Sequence, residues 1–155
     1  MDKFVLVYGG TQKQRWLVED IAWWFCDKYF NRFKSWNIEI DLEKIEGKVQ
    51  GWCMHIDGNA CHVTIDKRLK GDDFITCVLH ELVHVKQHLK KELKDDNGCF
   101  SMWKGNVIHL DDTNYYDLPW EKEAYELQEI LLKEYKNALF IRDASSHGYC
   151  NFITD

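Results

Sequence analysis

Proline occurs once and glycine nine times in 155 residues, so little of the chain is built to break regular structure. With seven Trp, seven Tyr and eight Phe beside them, that scarcity excludes a disordered or low-complexity chain. No apolar run reaches the roughly 18 residues that a membrane-spanning helix needs. Nor is there an excess of positive charge. Twenty Lys and Arg stand against 26 Asp and Glu, a net charge of −6, which argues against a nucleic-acid partner. The local groups Lys67, Arg68, Lys70 and Lys86, Lys90, Lys91 are read as solvated faces. The apolar stretch Phe4–Tyr8 is too short for a secretory leader and has no small-residue cleavage site. None of the six cysteines forms a C-x-x-C pair, so reduced thiols and a cytoplasmic, membrane-free protein are expected. The length suits one domain over residues 1–155 with a sizeable core.

The periodicity alternates between strand and helix. Residues 3–8 form a short apolar run closed by Gly9-Gly10, and residues 12–33 carry an approximate 3.6-residue period through Trp16, Ile21, Trp24 and Phe25. Trp36, Ile38, Ile40 and Leu42 alternate with polar residues, as in a half-buried strand. Strands are predicted over 49–56 and 61–65, joined at the turn-forming Asp57-Gly58-Asn59. A helix follows Gly71, capped by Asp72 or Asp73, and runs to about Lys94, before Asp95-Asp96-Asn97-Gly98. Residues 100–118 are aromatic and irregular, with a short strand near 106–110. Pro119 opens a last helix through Asn137, and no period is visible from Ser145. The order suggests an α+β fold with a small antiparallel or mixed sheet.

Chemistry concentrates in Leu79-His80-Glu81-Leu82-Val83-His84. Two histidines four apart on a helix project from one face, one turn above the other, and can share one Zn²⁺. Glu81 beside them is a candidate base for a water at that ion. Ile75, Val78, Leu79, Leu82, Val85 and Leu89 form an apolar stripe, and His80 and His84 lie roughly opposite it, facing something else. In a chain with seven His and eleven Glu, H-E-x-x-H is expected only about 0.02 times by chance.

A catalytic zinc site needs a third protein ligand. Glu121 and Glu123 both lie at the start of the last helix, where carboxylates suit the helix dipole. Each sits about 80° from the centre of the stripe Trp120, Ala124, Leu127 and Leu131, so the helix wheel leaves both open.

The motif His80-Glu81-Leu82-Val83-His84 followed by a Glu-x-x-Ala helix resembles the gluzincin metallopeptidases, and in particular their small single-domain members. The run Pro119-Trp120-Glu121-Lys122-Glu123-Ala124-Tyr125 is similar to one in short bacterial and phage proteins of that type. The resemblance spans roughly residues 36–137 and implies a zincin-like α+β fold, with a sheet packed on an N-terminal helix, an active-site helix and a ligand helix. It implies His80, His84 and Glu121 as zinc ligands, Glu81 as general base, and an extended peptide or protein substrate. Tyr125 stands where that family usually has Asp. Ala124 agrees with Glu121, since a small side chain three residues on lets the ligand helix come close. The family's sheet edge pairs with substrate, and Cys61–Ile65 is the candidate strand.

Other residues stand beside this reading. His109, Tyr115 and Tyr116 could each stabilise charge at the reacting carbonyl, and the sequence does not choose among them. Cys53, His55, Cys61 and His62 bracket a turn, but their spacing is not a zinc knuckle's and adjacent strand residues face opposite ways. His88 lies too far along the helix to share an ion with both His80 and His84. The expectation is a monomeric zinc-dependent peptide-bond hydrolase. The alternative is a non-catalytic zinc-containing binding module, which a fourth protein ligand such as Cys77 or Asp117 would favour.

Overall fold

Strand β1 (Lys3–Gly9) ends where Gly9 and Gly10 adopt φ of 79° and 58°, and a side chain at Gly9 would collide with the Leu42 carbonyl. The chain then enters α1 (Gln12–Tyr29), whose start is fixed by a capping box between Thr11 and Gln14. This computed structural model describes residues 2–95 and 99–146. Asp96, Asn97 and Gly98, expected from the sequence to stop the helix, and residues 147–155 with Cys150, lie outside the described residues. After α1 come β2 (Trp36–Glu43), the hairpin β3 (Gly51–Asp57) and β4 (Ala60–Asp66), and α2 (Gly71–Leu89). Three short strands follow, β5 (Leu93–Asp95), β6 (Phe100–Trp103) and β7 (Asn106–His109). Two 3₁₀ turns then lead into α3 (Pro119–Ser146).

The main sheet has the order β1-β2-β4-β3. β1 pairs with β2, and β2 with β4, in parallel; only the β3–β4 hairpin is antiparallel, so the sheet is mixed. The alternation in β2 is borne out: Trp36, Ile38, Ile40 and Leu42 are all buried toward the helices. With Val63 and Ile65 of β4 they meet Ile21, Ala22 and Phe25 of α1 and the apolar side of α2. A separate antiparallel sheet, β5-β6-β7, packs through Trp103 and Ile108 on a small cluster of Leu93, Leu118 and Trp120.

Five expectations need correction. α2 starts at Gly71 behind Lys70 and not behind Asp72 or Asp73, and α3 runs past Asn137 to Ser146. β4, the strand of Cys61–Ile65, is an inner strand with partners on both sides, and β3 is the edge beside α2. α1 stops at Tyr29 instead of residue 33, because Phe30 turns into the core and is fully buried. α2 ends at Leu89, not near Lys94. Lys91 takes a left-handed φ of 59°, the Glu92 amide returns to the Gln87 carbonyl, and Leu93 leaves to pair with Trp103. Among the described residues no helix is long and apolar enough to cross a membrane, and Cys26, Cys53, Cys61 and Cys77 are free thiols.

Candidate metal centre

What His80 and His84 face, opposite the apolar stripe of α2, is α3. Ala124 is completely buried in α3, and its small side chain permits the close approach of a helix whose first turn carries Glu121. His80 Nε2 lies 3.1 Å from one oxygen of the Glu121 carboxylate and His84 Nε2 3.1 Å from the other. The two rings are 5.0 Å apart and nearly perpendicular. One donor atom from each of the three residues lies within 4.8 Å of the others, and this is the one such group of three among the described residues. All three are buried.

The far nitrogens of the two rings are also fixed. His80 Nδ1 donates to Gln128 Oε1 at 2.8 Å, and His84 Nδ1 donates to Gln87 Oε1 at 2.8 Å. Gln87 is fully buried and its own amide donates to the Trp120 carbonyl at 2.9 Å, which ties the His84 ring to the first turn of α3. A neutral imidazole that donates from Nδ1 carries its lone pair on Nε2. Two such lone pairs and a carboxylate converge on one point. They repel one another unless each ring is protonated or a cation lies between them. Two imidazoles and a carboxylate are a donor set that a divalent metal ion fits, with both histidines held by outer hydrogen bonds.

The electrostatics agree. Burial pushes the Glu121 carboxyl up, but hydrogen bonds from His80 and His84 outweigh it and hold the group at about 2. Burial opposes a charge on His84, yet the hydrogen bond to Glu121 and the charges of Glu81 and Glu121 raise its pKa above the ordinary value. Glu81, also buried, is raised above the usual carboxylate range by burial and by the charge of Glu121, against the pull of the two histidines.

Glu81 lines a cleft of about 1000 Å³ that runs along the lead-in to β3 at Val49, Gln50 and Gly51, past His80, to Tyr115, Tyr116 and Tyr125. A Cβ on Gly51 would lie 2.8 Å from the Thr64 carbonyl oxygen, 3.2 Å from Cys77 Sγ and 3.3 Å from Glu81 Cγ. Glycine is therefore what lets the edge strand come against the Glu81 stem. The Cys77 thiol donates to the Gln50 carbonyl at 3.6 Å and is thereby directed away from the three-residue group.

The remaining sequence candidates separate clearly. Tyr115 stands in the field of the Glu121 carboxylate, and burial together with that charge pushes its phenol pKa up. Tyr116 stands behind it, 6.0 Å from Tyr125, whose ring lies 4.6 Å from His80. His109 belongs to β7, lies beside Phe100 and does not line the cleft. Glu123 points to the flank of α3 and accepts from Lys86 at 2.9 Å and from Gln87 at 3.2 Å. Asp117 is not in the donor group. Cys53, His55 and Cys61 share one face of the sheet by their register, while His62 faces the other way and bonds Asp41 at 2.7 Å. His88 stacks on His55 at 5.3 Å, and burial lowers its pKa to about 4. Sequence reasoning missed Gln87, Gln128 and Gly51. Two of them had a readable signal: Gln87 is three residues after His84, and Gln128 is seven after Glu121, each on the same helix face. Comparison with known protein families, curated proteins and solved structures finds no match for this chain.

Proposed function

We propose that this protein is a zinc-dependent peptide-bond hydrolase of the gluzincin type, with a zincin-like fold. The observation that carries the reading is the convergence of His80 Nε2, His84 Nε2 and Glu121 on one point, with both Nδ1 atoms committed to glutamine oxygens and Glu81 adjacent. Zinc bound there supplies Lewis acidity, which polarises a scissile carbonyl and lowers the pKa of a water. His80, His84 and Glu121 hold the ion, and Gln128 and Gln87 orient the rings. Glu81 takes a proton from the attacking water and returns it to the leaving amine; its raised pKa suits a group that must both accept and donate. The segment that leads into the edge strand β3, Lys48 to Gly51, lines the cleft and offers backbone groups to which an extended peptide can pair. Tyr115 lines the same cleft, with Tyr116 and Tyr125.

The alternative, a zinc-containing binding module without turnover, calls for a site closed by a fourth protein ligand. Three donors converge, and neither Cys77 nor Asp117 joins them, which favours a site open to substrate. The test is metal analysis of the purified protein together with cleavage of a peptide library. Glu81→Gln is expected to keep one equivalent of zinc and lose hydrolysis, and His80→Ala to lose both. A fully active Glu81→Gln protein refutes the mechanism.

A further inference from the structure

The basic run Lys67-Arg68-Leu69-Lys70, which the sequence suggests is only a solvated face, borders a second cavity. It measures about 520 Å³ and lies between the start of α1 and the turn that enters α2, within the size range of small-molecule sites. Its floor is apolar: Leu17, Phe74 and Ile75 are buried there, and Leu69 is half-buried. Its mouth carries Lys67 and Lys70, and no carboxylate lines it, in a chain whose net charge is −6. Arg68 also borders the cavity, but its guanidinium is committed to Asp66 through contacts of 3.0 and 2.8 Å. Neither Lys67 nor Lys70 has an ion-pair partner among the described residues.

The same end of α2 is open. Its N-cap residue, Lys70, makes no side-chain cap hydrogen bond, so the first amides of the helix have no side-chain acceptor. The two acids of that first turn do not screen the cavity. Asp72 and Asp73 line the other cleft, and Asp72 pairs with Lys136 at 3.0 Å. A greasy floor, two uncommitted ammonium groups and an uncapped helix start together define the complement of one ligand class.

We propose that this cavity binds an amphiphilic monoanion, a medium-chain apolar carboxylate. Its hydrocarbon body lies against Leu17, Leu69, Phe74 and Ile75, and its head group meets Lys67, Lys70 and the amides that open α2. The site is separate from the metal centre, since Gly71 and His80 lie about 13 Å apart along the helix axis. Decanoate, titrated into the full-length protein and followed by calorimetry and by amide NMR shifts, tests this. Saturable one-to-one binding is expected, with shifts centred on Gly10, Leu69 and Gly71. The double charge reversal Lys67→Glu/Lys70→Glu weakens it by about tenfold or more, as does replacing decanoate by decan-1-ol. Leu69→Ser, a half-buried position, weakens decanoate binding while leaving metal content intact. The proposal is overturned if decanoate does not saturate below about 1 mM, if charge reversal leaves its affinity unchanged, or if the shifts centre on the metal cleft. None of these outcomes depends on whether the protein hydrolyses peptides.

Discussion

Exchanging one carboxylate at a time in the first turn of α3 distinguishes a metal ligand from a neighbour two residues away. Glu121 contributes one of three converging donors and is 4% exposed, so under the proposed reading Glu121→Ala removes one of three metal ligands. Loss of a factor of tens or more in zinc affinity is expected, about 2 kcal/mol at 1.4 kcal/mol per decade. Glu123→Ala removes a contact to Lys86 and one to Gln87, the residue that orients His84. Gln87 nevertheless keeps its 2.9 Å bond to the Trp120 carbonyl, and the His84 ring stays where it is. What is lost is mainly a partly exposed ion pair, so zinc affinity should change by no more than about threefold, roughly 0.6 kcal/mol. Competition against a chromophoric chelator at neutral pH measures both variants on one scale. Equal losses, or the reverse order, would show that Glu121 is not the third ligand.

Gln128→Leu deletes the acceptor for His80 Nδ1 and should weaken zinc binding by about 10- to 100-fold with the fold intact; an unchanged affinity would mean that this bond does not set the ring. Gly51→Ala forces a methyl group to within 2.8 Å of the Thr64 carbonyl oxygen and should cost about 1–3 kcal/mol, read as a fall of several degrees in the Tm of the metal-free protein. An unaltered Tm would remove the close-approach argument. Asp20 links α1 to α3: burial pushes its carboxyl up, but hydrogen bonds from Arg142 and Tyr135 hold it below its ordinary 3.8. A carboxyl depressed in the folded state contributes stability that is present above its unfolded pKa and lost as pH falls through the folded one. The Tm difference between wild type and Arg142→Ala should therefore be full at neutral pH and shrink as pH drops past about 4. A gap that stays constant into strong acid would refute this.

Local patterns carried much of this fold, and partnerships carried the rest. The alternation of Trp36, Ile38, Ile40 and Leu42 marks a strand with one buried face, which β2 has. The same alternation serves parallel and antiparallel neighbours alike, so the parallel β1-β2-β4 ladder and the edge position of β3 were not legible from it. Lys90-Lys91-Glu92 reads as continued helix because each residue is a good helix former. The turn there is decided by the pairing of Leu93 with Trp103, which lies ten residues away. For the metal site, spacing alone gathered His80, Glu81 and His84. Glu121 needed a second helix to be brought alongside, and the small Ala124 was the one local hint of that approach. Gly51 could not be singled out, because its importance comes from the Thr64 and Cys77 atoms that crowd it.

Glu121 follows His80 by 41 residues and sits on a different helix. An ion held by His80, His84 and Glu121, as proposed, would therefore do more than occupy a site: it would be a removable staple joining α2 to α3. The span it closes contains the three-stranded sheet and the 3₁₀ turn with Tyr115 and Tyr116, a region whose own core is only the cluster around Leu93, Leu118 and Trp120. Unlike a covalent bridge, which restricts the unfolded chain, such a staple would act by binding the folded state alone, so its strength would be set by free metal concentration. At a free concentration one hundred times its dissociation constant the ion adds about 2.7 kcal/mol to the folded state. If the proposed reading holds, withdrawal of metal would loosen this aromatic wall of the cleft before it reached the main sheet, and this lightly supported segment would depend on the same ion as the proposed chemistry.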